Sequence, residues 1–189
     1  MYLGREALNS KNIPVYVMPR MKTYLQNNGP WSQLVMLHNI VLKDLSADSV
    51  VNLSNEVSVI PFIVPHRDEY SETAGFKIIT TQKKYLFIPD IDKWEKFQRD
   101  ITREVKSVDV ALLDATFYNG DELPERKMSE VPHPFVIETM KRFESESIET
   151  QGKIYFIHFN HSNPLMWNEG RKAEFKRGAF HLTYSGLKL

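Results

Sequence analysis

KIYFIHFNHSNP, residues 153–164, runs from the apolar and aromatic stretch 154–157 straight into His158, with Asn160, His161 and Asn163 behind it and Pro164 closing the pattern. A short unbroken apolar run reads as a strand covered on both faces, and proline cannot extend it. The stretch therefore predicts a buried strand that delivers a histidine at its end. Histidine binds metals and moves protons near neutral pH. A plainer reading also fits: His158 hydrogen-bonds its own loop, and Asn160 and Asn163 form a turn.

Three other apolar runs end in the same way. Residues 57–64 lead to Pro65-His66, 84–88 to Pro89-Asp90, and 108–113 to Asp114. Each polar end has an ordinary explanation. His66 can face solvent, Pro89-Asp90 can be a turn, and Asp114 can cap the next loop. Together they place His66, Asp90, Asp114 and His158 at strand ends, where sheet scaffolds present chemistry. Histidine and aspartate without cysteine form a ligand set suited to Zn²⁺, Fe or Mn²⁺, and a carboxylate can bridge two such ions.

Around these runs, strands alternate with helices, which is an α/β pattern. Strands are expected at 14–18, 40–42 and 50–53, and helical segments at 19–26 and 31–37 around the turn Asn27-Asn28-Gly29-Pro30. Residues 75–79 and 84–88 flank a polar turn and read as a hairpin. Asp92 and Glu95 have capping-box spacing, so a helix with Trp94, Phe97, Ile101 and Val105 on one face should start there. Pro132-His133-Pro134 precedes a second helix, with Val136, Met140 and Phe143 inward and Pro134 in its first turn. The tail, 180–189, should add a last strand. Residues 2–8 resemble the middle of an amphipathic helix that lacks an N-cap. No repeat or linker divides residues 1–189, which read as one domain.

Lys+Arg and Asp+Glu both number 24, so a neutral chain gives no global attraction to nucleic acid or an anionic membrane. No apolar run has the length of a membrane span. The absence of cysteine excludes disulfides and thiolate chemistry and fits a reducing, cytoplasmic setting.

VPHRDEYSETAGFKI (64–78), KKYLFIPDIDKW (83–94), VDVALLDATFY (108–118) and KIYFIHFNHSNP (153–164) follow one another in an order that resembles the later half of a metallo-β-lactamase-fold metallo-hydrolase. FNHSNP is most similar to the pyrroloquinoline quinone biosynthesis protein B branch. The resemblance implies an αββα sandwich, here lacking its N-terminal strands. It implies metal-assisted hydrolysis of a small-molecule substrate with a divalent metal, zinc first and iron or manganese as alternatives. His66, Asp90 and His158 are the implied ligands, with Asp90 bridging. Asp114 would steady a ligand or His133 from behind. His133 would donate a proton, or bind an anion together with exposed helix amides. Asn160 and His161 would shape the loop, with His161 able to reach substrate. His38 and His181 read as ordinary histidines.

The family's His-x-His-x-Asp-His loop is absent from this sequence. In relatives it precedes a segment like MYLGREALNSKNIPVYV, so the chain is expected to start just after it, with too few ligands for a tight site. That leaves two alternatives to a working hydrolase. One is a non-catalytic or half-enzyme fragment that needs a separate N-terminal segment or a homodimer partner. The other is a cofactor-biosynthesis metalloprotein of the pyrroloquinoline quinone type.

Overall fold

The structure is a computed structural model and describes residues 2–127 and 130–189. β1 (Ile13–Val17) and β2 (Ile40–Asp44) pair in parallel as a small separate sheet. Parallel neighbours need a crossover. Here it is α1 (Pro19–Asn27), which opens on a proline at its first position, and α2 (Trp31–Met36).

The main sheet has seven strands in sequence order: β3 (Val51–Asn52), β4 (Val57–Ile63), β5 (Ala74–Thr80), β6 (Lys84–Ile88), β7 (Val110–Asp114), β8 (Ile154–Ile157) and β9 (His181–Leu182). Pairing is antiparallel from β3 to β6 and parallel from β6 to β9. β4 and β6 both oppose β5, so they run the same way, and β7 and β8 follow them. The C-terminal ends of β4, β6, β7 and β8 therefore share one edge of the sheet. All four polar strand ends are delivered to it.

α3 (Ile101–Lys106), α4 (Val136–Arg142), α5 (Ile148–Gln151) and α6 (Glu169–Phe175) fill the later connections. Phe62, Leu86, Ile88, Leu113, Ile154 and Phe156 alternate onto one sheet face, where they form a fully buried core with Val105, Val136 and Phe143. Each such side chain stabilises by about 1.5–3 kcal/mol. Gly75 is needed here, because a Cβ on it would meet the Phe62 ring at 2.6 Å. On the opposite face Pro61 and Val110 are buried, while Val59, Phe76, Ile78, Phe87, Leu112 and Tyr155 are only half-buried. Among the described residues, no helix is long and apolar enough to cross a membrane.

Four expectations need correction. Asp92 does not cap a helix. Its carboxylate accepts from the next amide, Lys93 N, at 2.7 Å and from Lys96 Nζ, so only a 3-10 turn forms at Trp94–Lys96. The helix starts later, where Asp100 accepts from Thr102 N at 2.9 Å and Arg103 N at 3.4 Å. α4 starts at Val136, so Pro134 lies ahead of its first turn. Residues 2–8 form turns closed by Ala7 N to Gly4 O, and Tyr2 and Leu8 stay exposed instead of forming the apolar stripe of a helix. The last strand shrinks to His181–Leu182. α5 and α6 were not anticipated, since they are short and largely polar, although Ser147 and Asn168 cap them conventionally.

Candidate metal centre

Backbone ties bring the four strand-end loops together. Pro65 O accepts from Asp92 N at 2.6 Å, joining the His66 loop to the Asp90 loop. Ala115 N donates to Ile157 O and Asn160 N to Thr116 O, joining the loops after β7 and β8. Asn163, fully buried, donates from Nδ2 to Ala115 O at 2.8 Å and accepts at Oδ1 from Leu165 N. His158 follows β8 directly with a φ of 63°, the left-handed region, which costs a histidine roughly 1 kcal/mol or more. The surrounding ties hold it there.

Asp114 is the hub. It is fully buried, and its Oδ1 accepts from Thr116 N at 2.8 Å and Thr116 Oγ1 at 2.6 Å. Its Oδ2 accepts from Ile91 N at 3.2 Å and pairs with His133 Nδ1 at 2.8 Å. Burial pushes this carboxyl up, but the hydrogen bonds with His133 and Thr116 and the nearby His158 ring outweigh it and hold the group below the usual carboxylate range. An ionised carboxylate only accepts, so His133 carries its proton on Nδ1 and leaves Nε2 free. The Asp114 carboxylate, 3.8 Å from His158 Nδ1, raises the His158 pKa; burial opposes this, and the Asp90 charge adds to it.

Asp90 sits between the histidines. His66 Nε2 approaches its Oδ1 to 2.5 Å, and His133 Nδ1 lies 3.4 Å from the same oxygen. His66 Nε2 and Asp90 Oδ1 are buried atoms with no hydrogen-bond partner, since their mutual approach lacks hydrogen-bond alignment. Ligand-capable atoms of His66, Asp90 and His133 lie within 4.8 Å of one another, as do those of Asp90, Asp114 and His158. Asp90 belongs to both groups. Buried unsatisfied polar atoms are costly, and a nitrogen and an oxygen placed side by side suit a shared cation. The donor set thus fits a divalent metal. His66 Nδ1 now accepts from Arg67 N at 2.6 Å, so a cation at Nε2 requires the other tautomer and the loss of that contact.

The sheet edge therefore unites His66, Asp90, Asp114, His133 and His158. Asn160 and His161 stand apart from the donors: Asn160 Nδ2 donates to Ser162 Oγ at 2.7 Å, and His161 is exposed in the turn. His181 stacks on Tyr155, with ring centroids 4.4 Å apart. The idea of anion binding at the helix start fails. Val136 N and Ile137 N donate to Phe117 O and Tyr118 O, and Phe135 N donates to Glu138, so these amides are taken. Thr116 and Asn163 are more important than the sequence reading allowed. The Asp-x-Thr spacing at Asp114, a local side-chain-to-backbone turn, was the available signal for Thr116.

The profile of the β-lactamase superfamily domain matches residues 3–159. No curated protein matches the chain. Among solved structures, Zn²⁺-bound PqqB from Methylobacterium extorquens is similar with a TM-score of 0.71 at 18% identity, over 94% of this chain and 64% of that one. A diphosphatase from the PhnP family gives 0.62 at 17%, over 97% and 60%. Unliganded yeast PDE1 gives 0.59 at 12%, over 95% and 59%. The chain thus spans about three fifths of the length of these structures. At such identities the likeness concerns the fold.

Proposed function

The chain belongs to the β-lactamase superfamily, and from that premise we propose that its strand-end cluster is a divalent-metal centre, zinc in the first instance, that serves hydrolysis of a small-molecule ester or phosphoester. The observation that carries this reading is Asp90, shared by two donor groups, with its Oδ1 and His66 Nε2 both buried and without a hydrogen-bond partner among the described residues. His66 and Asp90 would hold one cation, and Asp90 and His158 a second. A bound cation would acidify water and draw off charge developing on the substrate oxygen. Asp90, a member of both donor groups, would contribute to holding each cation. Asp114 locks the His133 ring, so that Nε2 can take up or deliver a proton at the reacting atoms. A Zn²⁺-bound PqqB and a diphosphatase of the same fold support the metal and the reaction class. A cytoplasmic setting is the companion proposal, resting on the cysteine-free sequence.

A second reading is favoured by one count. Asp114 is already engaged by four donor groups, so few side chains remain for two closed coordination shells. On this reading the residues described here are part of a centre completed by donors from a further segment or a second copy.

Titration with Zn²⁺ against a chromogenic chelator tests both readings. His66→Ala, Asp90→Asn and His158→Ala should each weaken binding, and His161→Ala should not. Weak binding by the wild type that strengthens when an N-terminal segment of a longer relative is supplied would favour the second reading. Equal losses at His158 and His161 would mean that the wrong histidine has been chosen. Unchanged binding in all variants sinks the metal centre.

A further inference from the structure

We propose that Thr116 is a positioning residue that fixes the tautomer of His158, keeping the proton on Nδ1 and the lone pair on Nε2. The tautomer follows from the chain's own contacts, and its use in holding a cation rests on the metal-centre reading above. A hydroxyl has one hydrogen. Asp114 Oδ1 is buried, takes the Thr116 amide at 2.8 Å and sits 2.6 Å from Thr116 Oγ1. A carboxylate there accepts, so the hydroxyl gives its hydrogen to Asp114. Thr116 Oγ1 also lies 3.0 Å from His158 Nδ1. With its hydrogen spent, the oxygen can only accept, and Nδ1 must donate. No other contact among the described residues enforces this state, because Asp114 itself stops 3.8 Å short of the ring.

Thr116 is well placed to impose it. The residue is buried at 8% exposure, and its amide and carbonyl are both engaged, the carbonyl by Asn160 N and by Asn163 Nδ2 at 3.4 Å. The His158 side chain, by contrast, is 47% exposed and free to exchange its proton with water. One fixed hydroxyl therefore relays the Asp114 charge to a histidine that the carboxylate does not reach. His133 obtains the same tautomer by direct contact with Asp114. The two rings are thus set by one carboxylate, one directly and one through Thr116.

Long-range ¹H–¹⁵N correlation NMR on the metal-free full chain, at a pH where the rings are neutral, reads the tautomers directly. The wild type and Thr116→Ser should show His158 protonated at Nδ1, and the isosteric Thr116→Val should show a mixture or the Nε2–H form. His133 should keep Nδ1–H in all three, which reports that the fold around Asp114 is intact. Zn²⁺ affinity should drop about tenfold or more in Thr116→Val and recover in Thr116→Ser, the scale typical of residues that orient a ligand. Nε2–H on wild-type His158, or a Thr116→Val spectrum like the wild type's, overturns the proposal. Zinc binding absent from the wild type overturns the metal-centre reading alone, and the NMR result still decides the role of Thr116.

Discussion

His66 Nε2 and Asp90 Oδ1 lie 2.5 Å apart, and neither atom has a hydrogen-bond partner among the described residues. They sit on loops after β4 and β6, strands that β5 separates in the sheet. The pair stands at the edge where four parallel-running strands end, and its cost to the metal-free fold argues that the arrangement serves binding. Leaving a buried polar atom unsatisfied costs about 1–3 kcal/mol.

Asp90→Asn should therefore separate stability from function. It removes the charge and nearly keeps the shape, so the metal-free chain should melt at the same temperature or higher. Ligand binding to the native state stabilises by mass action, so added Zn²⁺ should raise the wild-type midpoint and leave the variant's unchanged. Thermal melts with and without Zn²⁺ check this. A variant that melts lower without metal and still responds to zinc would refute it.

Asp114→Asn should be the most destabilising single change in the cluster. The carboxylate is fully buried and satisfies four donor groups, and an amide nitrogen cannot accept from those facing it. The expected loss is about 3 kcal/mol or more at pH 7. The folded-state pKa is depressed, so the stabilisation is present above the unfolded value of about 3.9 and is lost as pH falls through the lower folded value. Urea unfolding of wild type and variant should differ strongly at pH 7 and converge at the acid end. A gap that persists unchanged into strong acid would contradict this.

His158 makes metal binding sensitive to pH in the opposite region. Its pKa is raised, chiefly by Asp114, so the ring stays protonated to a higher pH than a free histidine, whose value is about 6.5. A ligand must be neutral to bind metal, so affinity should weaken as pH falls through that raised value, starting above pH 6.5. In the metal-free chain the sign reverses. The stability conferred by protonated His158 is complete below the unfolded pKa and disappears as pH rises through the folded one. Zn²⁺ titrations across pH 6–8 on wild type and His158→Ala should show the slope shrinking in the variant.

The edge of chemistry was legible because burial leaves a strong trace. The runs before His66, Asp90, Asp114 and His158 are apolar, so their strands could be read without alternation, and strand order did the rest. His133 was legible only through its family resemblance, since nothing in Pro132-His133-Pro134 fixes a loop to a carboxylate 19 residues earlier. Thr116 was hidden because a threonine after a strand usually caps or turns. Asp92 misled for a local reason: its oxygen satisfied the neighbouring amide, and the capping role passed to Asp100. Short helices such as α5 bury little, and their periodicity never rises above that of a loop.

The second face of the main sheet carries the last prediction. Val59, Ile78 and Tyr85 form one cross-strand row on it, and Phe76, Phe87 and Leu112 form the next. All six are only half-buried, whereas the opposite face is closed by helices. A contiguous apolar surface of this kind favours association. The purified chain should therefore bind a hydrophobic dye and scatter light increasingly with concentration in the micromolar range. Ile78→Lys places a charge in the middle of the row, more than ten residues along the chain from any proposed ligand, and should reduce both signals while zinc affinity stays at the wild-type value. A wild type that is monodisperse and dye-silent at the same concentrations would show that the half-buried rows shield one another well enough to face water.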